Sequence, residues 1–176
     1  MKDGWWAVLV TAVIGGMVGL LLNGMKEWLQ RRERVNPMLL DCQVRCYTWA
    51  DDGKRGLVPV SSRVSAHVLF IDLDLRWVNS SPVPITLQWV YLVLRTGTVS
   101  RRFPCLDRER EKPFTHLHIP PGGTSFSRLS VRLNRWEEEE AVYFTSGEVR
   151  IRLGAGSSRN KEWSLRIGCL PEHKTT

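Results

Sequence analysis

The sequence has little of what marks an enzyme or a metal-binding protein. It contains no glycine-rich phosphate loop, no GxSxG nucleophile motif and no HExxH zinc motif. Nine prolines and 14 glycines among 176 residues are too few for a low-complexity chain, and 43% hydrophobic residues are too many for a disordered one. We therefore expect a folded protein with one sizeable core, which is not an enzyme and holds no cofactor.

Cysteine is also scarce. The four cysteines are too dispersed for a zinc finger: Cys42, Cys46, Cys105 and Cys169. In a cytoplasmic domain we expect four reduced thiols, whereas an exported domain allows two disulfides. Their oxidation state therefore also tests the side of the membrane on which the domain lies.

Charge is absent from the segment between Gly4 and Met25. At 1.5 Å per residue, these 22 residues span about 33 Å as a helix, against a hydrocarbon core of about 30 Å. Tryptophans flank the segment at the level of the lipid headgroups: Trp5, Trp6 and Trp28. The sequence therefore predicts a single transmembrane helix within residues 1–35.

A cleaved signal peptide is the alternative interpretation of this segment. It requires a basic start, a shorter apolar core and a small-x-small cleavage site. Here only Lys2 and Asp3 precede the core, and Leu22 stands where a small residue is needed. These features favour an uncleaved anchor.

The basic residues predict the orientation. The segment after the helix carries four of them: Lys26, Arg31, Arg32 and Arg34. Positive flanks stay inside, so we expect an inner-membrane protein whose C-terminal domain lies in the cytoplasm. No helix breaker precedes Pro37, which predicts a basic stalk up to residue 35. Its cations either attract anionic lipid or act only as stop-transfer charges.

Small residues mark one face of the predicted helix. Gly15 and Gly19 form a GxxxG motif, and Gly16 lies beside them. Such residues allow a second helix to approach closely. The motif favours contact with another membrane subunit or with a second copy of the chain.

From residue 36 onward, hydrophobic residues alternate with polar ones, as they do in strands with one buried face. The turn Asn79-Ser80-Ser81-Pro82 separates the two clearest strands. The predicted strands cover seven ranges: Leu39–Trp49, Leu69–Trp77, Val83–Leu94, Phe114–Ile119, Leu129–Leu133, Val149–Leu153 and Trp163–Ile167. Because the second half of the third one is apolar on both faces, we expect that strand to be central or covered.

This pattern predicts an antiparallel β-sandwich over residues 36–170, with a barrel as the alternative. The strand-turn-strand at 69–94 resembles the general style of immunoglobulin-like and fibronectin-like sandwiches, over about 30 residues. The resemblance identifies no family and transfers no functional residue. We predict an exposed loop at 101–112, a solvated turn or short helix at Glu137–Glu140, and a loose tail at 171–176. The glycines at 154–156 are predicted to serve turns.

Two groups of metal-ligating residue types have simpler explanations. His116 and His118 share a face of a predicted strand, but nothing in the sequence brings further ligands to them. Asp72 and Asp74 alternate with leucines, as the outward residues of a half-buried strand do. We therefore predict no metal site.

Arginine supplies 19 of the 25 basic residues, and the net charge is +7. If the last three strands are neighbours, their outward arginines form one basic docking face: Arg128, Arg132, Arg150, Arg152 and Arg166. Such a face fits an acidic protein surface or anionic lipid headgroups. The plainer interpretation pairs these arginines with outward acids such as Glu148 and Glu162. No exposed aromatic residues are interleaved with them, so we do not expect nucleic-acid binding.

Two functions fit these observations. The first is a single-pass accessory or scaffold subunit, whose helix packs into a larger membrane complex and whose sandwich caps it. The second is a membrane-tethered recognition domain that binds a soluble peptide, a lipid headgroup or a sugar. Because the sequence contains no recognisable pocket chemistry, it favours the first.

Overall fold

The computed structural model describes residues 16–25, 34–50, 56–157 and 161–170. The first range is a helix, α1 (16–25), and a second helix is α2 (Glu138–Thr145). The rest of this part of the chain is mainly strand: β1 (Val35–Trp49), β2 (Leu57–Val60), β3 (Val68–Asn79), β4 (Ile85–Thr96), β5 (Val99–Pro104), β6 (Leu106–Asp107), β7 (Lys112–Pro113), β8 (Leu117–Ile119), β9 (Thr124–Asn134), β10 (Arg150–Ser157) and β11 (Glu162–Cys169).

The strands form two antiparallel sheets, which confirms the predicted sandwich. The six-stranded sheet has the order β2-β1-β3-β9-β6-β7. The five-stranded sheet has the order β11-β10-β4-β5, and the short β8 pairs with the start of β4. As the apolar second half of β4 suggests, this strand is central in its sheet.

The core lies between the sheets and follows from alternation along the strands. In β3, Leu69, Ile71, Leu73 and Leu75 are fully buried, as the period of two predicts. Trp77 continues this buried row, and its indole nitrogen donates a hydrogen bond to Ser127 Oγ at 2.8 Å. The row therefore extends the core toward the end of β3 without leaving the indole N–H unpaired.

The alternation in β4 changes phase halfway along the strand. Leu87 is buried and so is Val90, with two residues between them instead of one. The pairing register of β10 with β4 shifts at the same place, between Gly156 and Ser157. An extra residue of this kind is a β-bulge, and it turns the following side chains to the opposite face. An unbroken period of two would place Trp89 on the buried face with Leu87, and the bulge turns it to the outer face instead.

Two segments between the predicted strands contain more structure than expected. The predicted loop at 101–112 contains the end of β5 and the short pair β6 and β7. The acidic run begins α2, and of the two alternatives the short helix is the one observed. Three glutamates in its first turn stabilise the helix through their interaction with its dipole. Tyr143 and Phe144 are buried in the core.

The predicted turn after β3 is held by one buried amide. Asn79 Nδ2 donates to the carbonyl oxygens of Val83, Ile119 and Pro120, at 2.8–3.3 Å. Its Oδ1 accepts hydrogen bonds from the backbone N–H and the hydroxyl of Ser81. A single side chain therefore joins the β3–β4 turn to the end of β8.

The predicted membrane segment is described only in part. Residues 16–25 are helical, and their large apolar side chains are exposed, with Leu20 at 75% and Leu21 at 72%. Among the residues that the structure describes, no helix is long and apolar enough to cross a membrane. The other residues of the predicted segment, residues 26–33 of the predicted stalk and the predicted tail at 171–176 lie outside the described ranges. The predicted end of the stalk at residue 35 is wrong, because Arg34 is not helical and Val35 pairs with Asn79 as the first residue of β1.

Candidate functional site

The outer face of the five-stranded sheet carries a set of arginines, which we call the arginine face: Arg95, Arg102, Arg150, Arg152 and Arg166. The strand register places three of them in one row across the sheet. Arg152 pairs with Arg166 on one side and with Val93 on the other, and Val93 pairs in turn with Arg102. Since directly opposed residues share a face, the three cations lie in one row, with Val93 between Arg152 and Arg102.

Like charges oppose one another directly on this face. Arg152 of β10 lies opposite Arg166 of β11, and Arg150 of β10 lies opposite Arg95 of β4. Directly opposed like charges destabilise a sheet. The fold therefore carries an electrostatic penalty here that an anionic partner would remove.

Acidic residues of the described chain neutralise little of this charge. Glu148 pairs with Arg150 at 2.7 Å, as proposed from the sequence, and this arginine lowers the pKa of Glu148. Arg102, Arg152 and Arg166 form no salt bridge with any described residue. Glu162, the second acid proposed to neutralise the face, makes no ion pair within the same ranges.

The outer face of the six-stranded sheet is arranged differently. Arg45 pairs with Asp72 at 2.7 Å, Arg108 with Asp74 at 2.9 Å, and Arg128 with Glu109 at 3.0 Å. The guanidinium groups of Arg45 and Arg132 both lie over the ring of Phe70, at 5.5 and 5.9 Å. These four arginines are therefore occupied within the protein itself.

The single predicted docking face is consequently wrong as one surface. Arg128 and Arg132 lie on β9 in the six-stranded sheet, whereas Arg150, Arg152 and Arg166 lie on β10 and β11 in the other sheet. Of the last three strands, β10 and β11 are neighbours, but β9 lies in the other sheet, where it pairs with β3 and β6. Arg95 and Arg102 complete the face instead. Arg102 lies in the segment that the sequence pattern assigned to a loop.

An aromatic pair lies next to the arginine row. The rings of Trp89 and Tyr91 are stacked with centroids 5.2 Å apart, and both side chains are half-buried on the outer face. The Arg102 guanidinium lies 4.8 Å from the centre of the Tyr91 ring, within cation–π range. The bulge in β4 turns these rings outward, so the sequence pattern could not identify them as exposed aromatics.

Two glycines of β10 make room for this pair. Gly154 lies opposite Tyr91 and Gly156 opposite Trp89. A Cβ atom at either glycine would overlap the facing ring. The prediction that these glycines serve turns is therefore wrong, because they lie within a strand. Since they have no side chain, the two aromatic rings pack directly on the backbone of β10.

A groove runs over this part of the sheet. One hollow of about 440 Å³ is lined by Tyr91, Arg102, Arg152, Gly154, Glu162 and Ser164, among others. A second hollow of about 330 Å³ adjoins it and shares Tyr91, Arg102 and Glu162. Arg152 donates a hydrogen bond to Ser164 Oγ at 2.6 Å, which fixes one wall. The groove thus brings two cations, two aromatic rings and a carboxylate together on one outer face.

The remaining candidate residues are not brought together. His118 contacts Thr86 across a 3.3 Å hydrogen bond, and Asp72 is 2% exposed instead of solvated, because Arg45 covers it. All four cysteines are free thiols. No group of three or more His, Cys, Asp or Glu side chains within the described ranges is arranged to hold a metal ion.

The predicted helix-packing glycines are described in part. Gly16 and Gly19 lie in α1, and a Cβ atom at either would meet no described atom within 4 Å. Gly15 and most of the predicted membrane-interface residues lie outside the described ranges: Trp5, Trp6, Trp28, Lys26, Arg31 and Arg32. Arg34 is described and exposed, directly before β1.

Comparison with known proteins defines no family for this chain. No family model matches it, and no curated protein matches it. A protein from Archaeoglobus fulgidus is similar in structure, with 14% identity, a TM-score of 0.36, and coverage of 76% of this chain and 100% of its own. A β-sandwich protein from Clostridium difficile 630 shows 8% identity, a TM-score of 0.36, and coverage of 77% and 89%. At such scores, neither similarity carries an argument about function.

Proposed function

We propose that this protein is a membrane-anchored recognition domain that binds an anionic partner through the arginine face. The uncharged segment from Gly4 to Met25 anchors it in the inner membrane, and the basic residues that follow keep the domain on the cytoplasmic side. The sandwich is the rigid scaffold, and the groove is the binding surface.

The proposal rests on two pairs of directly opposed arginines: Arg152 with Arg166, and Arg150 with Arg95. A sheet that only needed a solvated surface would place acids opposite these bases, as Asp74 lies opposite Arg128 in the other sheet. A carboxylate or phosphate that bridges the row satisfies several guanidinium groups at once.

The test measures anion binding by the full-length protein in detergent, with fluorescent poly-L-glutamate and inorganic pyrophosphate as probes. Replacing Arg102 and Arg152 with Gln should weaken binding of at least one probe about tenfold or more. The matched control replaces Arg128 and Arg132 with Gln, which changes the net charge equally on the opposite face. Equal weakening in both variants would show that only overall charge matters, and the proposal would fail.

A second candidate is the accessory subunit that the sequence favours. It is supported by the exposed apolar side chains of α1 and by the open space at Gly16 and Gly19, which leave a helix surface for close packing. In this case the full-length chain co-purifies with another membrane protein, and Gly15→Leu with Gly19→Leu weakens that association. An unchanged complex in this variant would place the interface elsewhere.

A further inference from the structure

The groove is asymmetric along the strand direction. The arginine row crosses β4 at Val93, the next row crosses it at Tyr91, and the row after that contains Trp89, Gly156 and Glu162. Outward rows are two residues apart, so the last row lies about 13 Å from the first. A cationic end, an aromatic middle and an anionic end therefore follow one another along the groove.

The cationic end is suited to one phosphate group. Arg102 and Arg152 flank Val93 from the strands on either side, so their Cα atoms are two strand spacings, about 9.6 Å, apart. Both side chains are exposed, and the short Val93 side chain between them leaves space above the sheet. Arg102 and Arg152 line the same hollow, and two guanidinium groups at one site recognise the several oxygens of a phosphate better than the two of a carboxylate.

The middle and far end are suited to a hydroxyl-rich ring. Trp89 and Tyr91 supply a flat aromatic surface, whose electron-rich faces attract the weakly positive C–H groups of a sugar. Glu162 is exposed and accepts no hydrogen bond from any described residue, so its carboxylate is available to sugar hydroxyls. The same carboxylate repels a nucleic-acid strand, because a strand with a phosphate on every nucleotide would place negative charge close to Glu162.

We propose that this groove binds a sugar phosphate, with the phosphate between Arg102 and Arg152 and the sugar ring against Tyr91 and Trp89. This inference rests on the proposed anion-binding function and names its ligand class. Arg102 contributes twice, because its guanidinium contacts the Tyr91 ring and its side chain lines the hollow in which we place the phosphate.

The experiment titrates the full-length protein in detergent by calorimetry and by tryptophan fluorescence. The probes are the 6-phosphates of glucose, mannose and galactose, the three parent hexoses, inorganic phosphate and AMP. At least one hexose phosphate should bind about tenfold tighter than both inorganic phosphate and its parent hexose, because the charged and aromatic contacts add. Its binding should change the fluorescence of Trp89.

Variants divide the site into its parts. Arg102→Gln or Arg152→Gln should weaken the hexose phosphate about tenfold, and Tyr91→Ala should reduce its affinity to that of inorganic phosphate. Tyr91→Phe keeps the ring and should retain affinity, which separates ring contact from loss of folding. Arg132→Gln on the other sheet is the matched control and should bind as wild type does.

Three outcomes would overturn the inference. Hexose phosphates that bind no tighter than inorganic phosphate would reduce the site to a charge effect, and AMP as the tightest probe would assign the aromatic surface to a base. If the Tyr91→Ala variant retained its affinity for the hexose phosphate, the sugar would not contact the Tyr91 ring. In each case the anion-binding function stands if pyrophosphate or poly-L-glutamate binding still requires Arg102 and Arg152, and it fails as well if no probe requires them.

Discussion

At the residue scale, the groove depends on two glycines, which have no side chain. Gly154 and Gly156 are interior strand residues, where glycine gives no packing and restricts the backbone least. Their role is to let the Tyr91 and Trp89 rings lie against the sheet instead of standing out from it. A binding surface thus takes the place of two side chains that would have stabilised the strand.

Gly156→Ala tests this role. The new Cβ overlaps the indole of Trp89, so the ring has to move, and we expect a loss of about 1 kcal/mol in unfolding free energy. Trp89→Leu in the same chain should recover most of it. The measurement is a double-mutant cycle from urea unfolding. Additive effects of the two substitutions would show that the ring does not rest on Gly156.

A buried thiol gives a second prediction at this scale. Burial raises the pKa of Cys105 to about 12, from an ordinary value of 9. Because the folded state holds this proton more tightly than the unfolded state, its stabilisation is complete below pH 9 and is lost as the pH rises toward 12. Between pH 8 and pH 10 we expect wild type to lose about 1.4 kcal/mol more than Cys105→Ala in urea unfolding. Equal losses would contradict the shift.

At the scale of the strands, the arrangement that we propose for anion binding lowers the stability of the sheet. Arg152 and Arg166 are opposed on neighbouring strands, while Arg128 is opposed to Asp74 on the other sheet. The same residue type is therefore unfavourable on one outer face and favourable on the other. Only the pairing of the strands distinguishes the two environments.

Two matched substitutions should change stability in opposite directions. Arg152→Thr removes a like-charge contact and should raise the unfolding free energy by about 0.5 kcal/mol, or about 1–2 °C in Tm. Arg128→Thr removes an attractive contact and should lower it by a similar amount. Calorimetry at low and high salt checks both, since screening reduces each effect. A loss of stability in both variants would remove the argument from opposed arginines.

At the scale of the whole molecule, β1 runs the length of the sandwich. The strand begins at Val35, and its 15 residues span about 50 Å. Trp89 lies nearer than Val93 to the start of β4, which follows the Asn79 end of β3 that pairs with Val35. The aromatic and anionic end of the groove therefore lies toward Val35, and the arginine end lies away from it.

The proposed orientation can be tested with the exposed Cys169, which lies at the end of β11. A membrane-impermeant maleimide should label the full-length protein only after the membrane has been opened, because the domain is proposed to be cytoplasmic. The Cys169→Ser variant identifies the labelled site. Labelling of Cys169 in cells whose outer membrane has been removed and whose inner membrane is intact would show that the domain lies on the opposite side of the inner membrane.

The sequence by itself predicted most of the fold. The alternation in β3, the turn at Asn79 and the central position of β4 all follow from local patterns of apolar and polar residues, and the structure bears them out. These features depend on burial along a single strand, which neighbouring residues specify directly. The uncharged N-terminal segment likewise predicts an anchor, and that prediction awaits its test.

Only the tertiary structure decided the candidate site. The sequence identifies outward arginines, but strand order determines which of them share a face, and pairing between distant segments is not visible in local alternation. One bulge in β4 turns Trp89 and Tyr91 to the outer face, where they pack on Gly156 and Gly154 of the distant strand β10. Periodicity thus specifies that each strand has two faces, whereas the register and the bulge determine which side chains meet there.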